Sequence, residues 1–535
     1  MTRPQSRTAA ALAAWALAAS ALASPRLLAA ERPPRPRPPG EHVRPADREA
    51  LARHAFLPDR PIVGTYYFYW YDRETGEHFI DGDGTDALTD HPVQPEGMSY
   101  RSADWHEREL RDILEAGIDF VLPVYWGFPG AYGEWSFVGL PPLVEACRRI
   151  EKEGKRPPRI GLFYDTSTLQ WNSAGYHADL STLEGKEWLY VSARDFFSLI
   201  PHDLWATVGG RPLLWLYSAA FAKRQDPRAL DYLRAEFERD FGVRPFVVKE
   251  ISWQGEADAA YAWGAALRPS DFGVAAVGPG YDHSAVPGRA PLVRDREGGA
   301  FYRRSWEWLL SRDPARRSKI AVVETWNELH EGTEIAPTRE HGRLYVELTR
   351  KYADLWRAGA RLPRPGAYAA AAEVSVALGE KDEPRGIVQR DLEDGVTRPV
   401  RAAGKEGRST VPTRHGPGYI YFEVDDSFYS DDAAPLQLEV EFLDGPGDAL
   451  VLEYDSSDSG APHGGAFKPA PPAKLGGTGA WRTARFRLED AAFTGRSNGA
   501  DFRLSVPGAG LTVRRVAIAR AEAPPRPPEA SPRAK

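Results

Sequence analysis

Cysteine is almost absent: Cys147 is the single thiol in 535 residues. No intrachain disulfide can form, and no cysteine-based metal site is possible. Cys147 falls in an expected helix over 141–153, where a lone thiol reads as a small buried hydrophobe. An excess of positive charge is also lacking: the net charge is −7 and the pI is near 6.0, which excludes a basic nucleic-acid footprint. The longest apolar run, 9–23, falls short of the ~20 residues that a bilayer-spanning helix needs. There is no Gly-x-Ser-x-Gly nucleophile elbow and no His-Glu-x-x-His zinc motif. No Gly-rich phosphate loop follows the first strand, which argues against a dinucleotide fold.

What is present is apolar and aromatic. Hydrophobic residues make up 42%, enough for a sizeable core, and the chain carries 16 Trp, 22 Tyr and 22 Phe. Rings at that density build cores, and they also make flat platforms on which the C–H faces of sugars pack. Residues 1–30 read as a secretory signal: Arg3 and Arg7 precede the apolar run, and small residues follow at 21–23 and 28–30. Export to the periplasm or the outside is the expectation. Residues 31–58 begin Pro- and Arg-rich and read as a linker.

From 59 to 360 apolar, β-branched runs alternate with helical periodicity. Strands are expected at 61–70, 118–126, 159–166, 211–217, 245–253, 272–282 and from 320; 257–266 is ambiguous in period, with room for a short sixth strand at 261–265; helices fall between most of them, with a last helix at 339–358. Eight such repeats predict an α/β fold, a (β/α)8 TIM barrel. After 366 the helical period gives way to short alternating runs, which predicts an all-β sandwich domain over 367–521. Residues 522–535 are Pro-rich and read as a disordered tail.

Chemistry concentrates in 320–334, where a buried-strand pattern breaks into Trp326, Asn327, Glu328, His330 and Glu331. Glu328 and Glu331, three apart, fall on one side of a turn. Two carboxylates facing one cleft can divide the work of acid and base in glycoside hydrolysis. The plain alternative is a solvated acidic loop. Other strands also end in polar or aromatic residues, as a C-terminal-face site requires. Tyr66, Tyr71, Tyr125, Trp126, Tyr217, Trp253 and Tyr281 are candidate sugar platforms, although each alone fits a core. Asp72 belongs to the same strand-end set, with Asp165 and Asp282 as hydroxyl binders or helix caps. His330 either orients a glutamate or is a hydrogen-bonded core residue. Lys249, inside an apolar strand, calls for a charged partner, most simply a rim acid. The acids of 81–91 resemble a fragment of a calcium loop but lack the final bidentate Glu, so no metal and no cofactor is expected.

The run 326–335 (WNELHEGTEI) resembles the Asn-Glu-Trp-His-Glu-Gly-Thr signature of the glycoside hydrolase family 99-like group, which contains endo-α-mannosidases. The aromatic stretch 66–70, residues 116–119 and residues 278–282 look like that group as well. The whole chain is similar to a bacterial secreted family with such a barrel and a C-terminal β-domain. The resemblance covers about residues 60–356 of the barrel. It implies Glu331 as general acid/base, and Glu328 as the base for a sugar 2-hydroxyl that attacks the anomeric carbon. An anhydro-sugar intermediate and net retention follow. Two positions depart from the group: Leu329 replaces its usual Trp, and Glu324 adds an acid. Both put mannoside specificity in doubt. The expected partner is a glycan substrate, with Asn327 and His330 among its contacts. Neither nucleic acid nor, after signal cleavage, a membrane is expected, and the chain should be a monomer. The alternative from another class is a catalytically silent glycan-binding or cell-surface structural protein.

Overall fold

A computed structural model of the chain describes residues 35–127, 134–288, 292–392, 394–412, 418–432, 434–458 and 460–521. The signal-peptide and tail expectations, 1–30 and 522–535, lie outside the described residues. No described helix is long and apolar enough to cross a membrane.

The first half is built on eight parallel strands. They are β1 (Ile62–Tyr67), β2 (Phe120–Tyr125), β3 (Leu162–Tyr164), β4 (Arg211–Leu216), β5 (Phe246–Glu250), β6 (Ala259–Tyr261), β7 (Ala275–Val277) and β8 (Ile320–Val323). Pairing runs β6-β5-β4-β3-β2-β1-β8-β7. One parallel bridge, Ala260 to Gly273, joins the two ends, with Val274 N donating to Ala260 O at 3.0 Å. β1 is buried along its whole length. That is expected of a parallel strand covered on both faces. At Gly64 a Cβ would lie 2.2 Å from the Phe120 ring, so only glycine admits that contact.

The outer helices are α1 (Ala103–Glu115), α2 (Leu140–Lys152), α3 (Leu183–Leu199), α4 (Ala229–Phe241), α5 (Ala300–Ser311) and α6 (Leu344–Arg357). Ser102 caps α1 by accepting from Trp105 N, and Thr182 caps α3 by accepting from Gly185 N. The regular eightfold alternation is not observed. The β5–β6 and β6–β7 connections carry no described helix. The first, 251–258, is too short for a helix that must run back along the sheet, and the second, 262–274, is taken up by the loop that holds Glu324 and by a short strand, Ser270–Asp271.

A second correction concerns 31–58. From residue 35 onward this segment is docked rather than free. Arg35 lies between the carboxylates of Glu187 on α3 and Glu236 on α4, Arg194 donates to Pro36 O, and Arg48–His54 forms a helix capped by Asp47. Buried carboxylates recruit the arginine, because a buried charge needs a partner.

The C-terminal half is antiparallel. One sheet centres on Thr512–Arg520, which pairs with Glu373–Ala377 and Lys405–Thr410 on one side and Leu436–Leu443 on the other. A second sheet runs Ile387–Arg390, Ile420–Val424, Phe502–Ser505, Ala449–Tyr454. Their inner faces share one core, including Val376, Val440, Phe422 and Phe502, separate from the barrel core. The hairpin Thr397–Ala402/Lys405–Thr410 was not expected from sequence. Its residues are mostly polar and only Thr397, Gly407 and Thr410 are buried, so it shows no apolar alternation to read.

Candidate active site

The strand ends converge on a cavity of about 360 Å³ at the C-terminal mouth of the barrel. Phe68 and Trp70 enter it just after β1, Trp126 after β2, Asp165 after β3, Tyr217 after β4, and Trp263 after β6. Glu328, His330 and Glu331 line it from the loop after β8. The two glutamates expected on one side of a turn therefore share one cavity.

The loop holds itself in place by short-range bonds. Glu328 N donates to Thr325 Oγ1 at 2.9 Å, and Ile335 N returns to Trp326 O at 3.0 Å. Trp326 Nε1 donates to the half-buried Glu109 of α1 at 2.6 Å, and Glu109 also accepts from Trp105 Nε1 at 3.1 Å. Burial pushes the Glu109 carboxyl up to about 7.

Glu328 Oε1 accepts from His330 N at 3.1 Å and faces His330 Nδ1 at 2.7 Å. The other ring nitrogen, Nε2, is 2.9 Å from the His78 carbonyl. A carbonyl only accepts, so Nε2 carries a proton. One further proton then lies between Nδ1 and Glu328, as an imidazolium–carboxylate pair or as a neutral pair. Burial raises the Glu328 carboxyl and His330 opposes that rise; the carboxylate in turn holds His330 above its ordinary value against desolvation. Glu328 Oε2 is buried with no hydrogen-bond partner among the described groups. Tyr71 supports the pair from behind. Its ring stacks on His330 at 5.5 Å, and its hydroxyl donates to Asn327 O and accepts from Leu329 N.

Glu324, the extra acid, lies deeper. Its carboxylate accepts from Gly264 N at 3.1 and 3.0 Å and from Ala265 N at 3.1 Å. Gly264 makes this possible with a φ of +105°, where a side chain would be strained. Burial pushes Glu324 up to about 7, the three backbone donors of 264–266 work against the rise, and nearby Glu331 adds to it.

Several expected contacts lie elsewhere. Tyr66 is fully buried below the cavity, packed on Phe163, Tyr261 and Trp263, because strand alternation turns it into the barrel interior. Tyr125 alternates outward and packs on Phe196 of α3. Trp253 is buried and donates to Tyr217 O, so it positions that neighbour. Asp72 is buried against Glu74 N at 3.1 Å. Asn327 accepts from Phe68 N at 2.8 Å and faces a separate hollow behind the loop, as does Leu329. The change from Trp at Leu329 therefore leaves the front cavity untouched. Tyr281 bonds His283 Nδ1 at 2.9 Å and Asp282 accepts from Ser284 N at 2.8 Å; from that loop Val286 and Pro287 reach the cavity. Asp165 caps the turn Thr166–Leu169, one of its two expected roles, and lines the cavity with Trp126 Nε1 on Oδ2 at 2.9 Å. Lys249 donates to the carbonyls of Trp253 and Gly255 at 3.0 and 2.5 Å rather than to a rim acid.

The structure adds His78, Asp81 and Ala87, on the loop after β1, to the cavity wall. The His78 ring stacks on Trp70 at 4.5 Å, and burial beside His330 lowers it to about 3, which keeps it neutral. Asp81 Oδ2 is buried with no partner among the described groups. The remaining acids of that loop are dispersed: Asp83 accepts from Thr85, Asp86 pairs with His91, and Asp90 with Arg296. Among the described residues Asp90, Glu334 and His341 have metal-like spacing, but the Arg296 guanidinium donates to both carboxylates and supplies the positive charge there.

The fold and cavity define a parallel α/β barrel with an acid- and aromatic-lined mouth, followed by a β-domain. Residues 54–374 match the family described as "Domain of unknown function (DUF5010)", and the chain belongs to it. No curated protein matches. Among solved structures, the chain is similar to the GH99 endo-alpha-mannosidase from Bacteroides thetaiotaomicron, at 16% identity over 57% of this chain and 99% of that one, with a TM-score of 0.40. An alpha-L-fucosidase from Vibrio sp. strain EJY3 is similar at 10% identity over 89% and 98%, TM-score 0.34. The C-terminal CBM6 of LamC from Zobellia galactanivorans is similar at 11% over 25% and 99%, TM-score 0.17.

Proposed function

We propose that the protein is an exported glycoside hydrolase whose barrel is a (β/α)8 barrel short of two helices. The observation that carries this reading is the placement of Glu328 and Glu331 in one cavity walled by the rings of Trp70, Trp126, Tyr217 and Trp263. Rings seat a sugar, and a carboxyl on either side of the reacting bond moves its protons.

In this reading Glu328 takes the proton of the sugar 2-hydroxyl as that oxygen bonds to the anomeric carbon. The bond to the leaving oxygen breaks, and Glu331 supplies the proton that oxygen needs. Water then opens the anhydro ring: Glu331 takes a proton from the water and Glu328 returns one to the 2-oxygen. Burial makes the Glu328 carboxylate more basic, which suits it to a weakly acidic hydroxyl, while His330 fixes its direction. Asp165 and Asp81, which line the same cavity, would accept from other sugar hydroxyls. Residues 1–30 would direct export and be removed, and the chain would act as a monomer on a glycan without metal or cofactor.

The test is product release from a panel of α- and β-linked polysaccharides by the wild type and by Glu331→Gln. A hundredfold or greater loss in a folded variant supports the assignment. Binding to one of those glycans with no release from any would favour the non-catalytic binding protein.

A further inference from the structure

A second cavity, of about 340 Å³, lies where the barrel meets the C-terminal domain. Its barrel wall is 262–265 and 268–272 together with Trp308 of α5 and Arg312, and its other wall comes from 430–431, Ser457, Ala492, Thr494 and Arg496. Sites of this kind favour domain junctions, and they combine apolar surface with a few placed polar groups. Trp263, Phe272 and Trp308 offer the ring surfaces. Two polar atoms on its lining residues, Ser270 Oγ and Trp308 Nε1, are buried with no hydrogen-bond partner among the described groups. Those two atoms lie beneath the cavity surface; the polar groups offered to a ligand are those of Arg268, Asp271, Arg312, Asp431, Thr494 and Arg496, set around the rings.

The charges at this junction are matched. Arg312 donates to Asp431 and lies 3.3 Å from Asp271, Arg268 holds Asp426 with two bonds of 2.7 Å, and Arg496 pairs with Asp455 at 2.6 Å. Matched pairs offer donors and acceptors side by side without selecting an anion. Trp263 lines both cavities, and Gly264 and Ala265, which hold Glu324, form part of the second wall. A single short loop therefore separates the two spaces.

We propose that this junction is a distal saccharide-binding site, taking an uncharged sugar ring of the same glycan that enters the first cavity. The inference rests on the glycosidase reading of that first cavity. It gives the C-terminal domain a direct part in holding long substrates.

The test uses the full chain carrying Glu331→Gln, run by electrophoresis through gels containing each polysaccharide of the panel. Trp308→Ala removes a ring, and Ser457→Trp fills the cavity from the exposed side of the C-terminal domain. Each should weaken retention of the chain about tenfold. In the otherwise wild-type enzyme, Trp308→Ala should leave cleavage of a short aryl glycoside unchanged. Unchanged retention in both variants overturns the proposal. So does a loss with Trp308→Ala that Ser457→Trp does not reproduce, and so does the absence of retention on every glycan. Retention that both variants reduce, with no product from the wild type, would sink the glycosidase reading and leave this site standing.

Discussion

Two buried carboxylates, one in each half of the molecule, are held in opposite ways. Asp444, in the C-terminal domain, accepts from Gly476 N, Gly477 N, Thr478 N and Thr478 Oγ1, with Arg482 at 3.2 Å. These donors, led by the Gly476 amide, hold it well below the usual carboxylate range. Glu328, in the barrel mouth, has donors from one residue only, leaves Oε2 without a hydrogen-bond partner among the described groups, and is raised by burial. A carboxylate that tightens a turn is saturated with donors. Glu328, at a cavity wall, keeps one oxygen without a described donor. Asp501 is an exception in the C-terminal domain: it is buried, pushed up to about 7, and accepts from Val424 N and Gly495 N beside the Arg268–Asp426 junction.

The contrast can be broken by mutation. Glu328→Gln should reduce turnover by ~10²–10⁴ without lowering the melting temperature, measured by product release and calorimetry. His330→Gln should cost about tenfold in turnover, and the acid limb of the pH–rate profile should move, because the group that counters the burial of Glu328 is gone. If the profile did not move, His330 would be only a packing residue. Asp444→Asn should do the reverse of Glu328→Gln, lowering the melting temperature at neutral pH while leaving activity per folded molecule within about twofold.

The pH dependences of stability should also be opposed. Glu324 sits near 7 in the fold against 4.5 in the open chain, so between those values the folded protein holds a proton that the unfolded chain has released. Stability therefore falls as pH rises through that window, by at most about 3 kcal/mol from this group. Glu324→Gln should flatten that part of the curve in denaturant titrations. Asp444 is depressed, so its contribution is present above the unfolded-chain value of 3.8 and is lost as pH falls below it. Asp444→Asn should leave the slope between pH 4.5 and 7 as it was and remove part of the acid-side loss.

How much was legible in the sequence follows the same division. The 324–334 loop was readable because its chemistry is contiguous: strand, break, paired acids and histidine all fall within a dozen positions. Trp126, Asp165 and Tyr217 were readable because a barrel places strand ends at one mouth. Tyr66 and Tyr125 were misplaced, because a strand turns successive side chains to opposite faces and a run of aromatics does not mark which face is wet. His78, Asp81 and Trp263 reach the cavity through loop paths that no local pattern encodes. The two missing helices fell where the residues around 257–266 already gave an ambiguous period.

The most direct measurement of the central claim compares Glu331→Gln with Asp444→Asn on whichever polysaccharide the wild type cleaves. Glu331→Gln should lose a hundredfold or more with an unchanged melting temperature, and Asp444→Asn should show a lowered melting temperature with retained specific activity. Equal activity in wild type and Glu331→Gln, both folded, would contradict the claim.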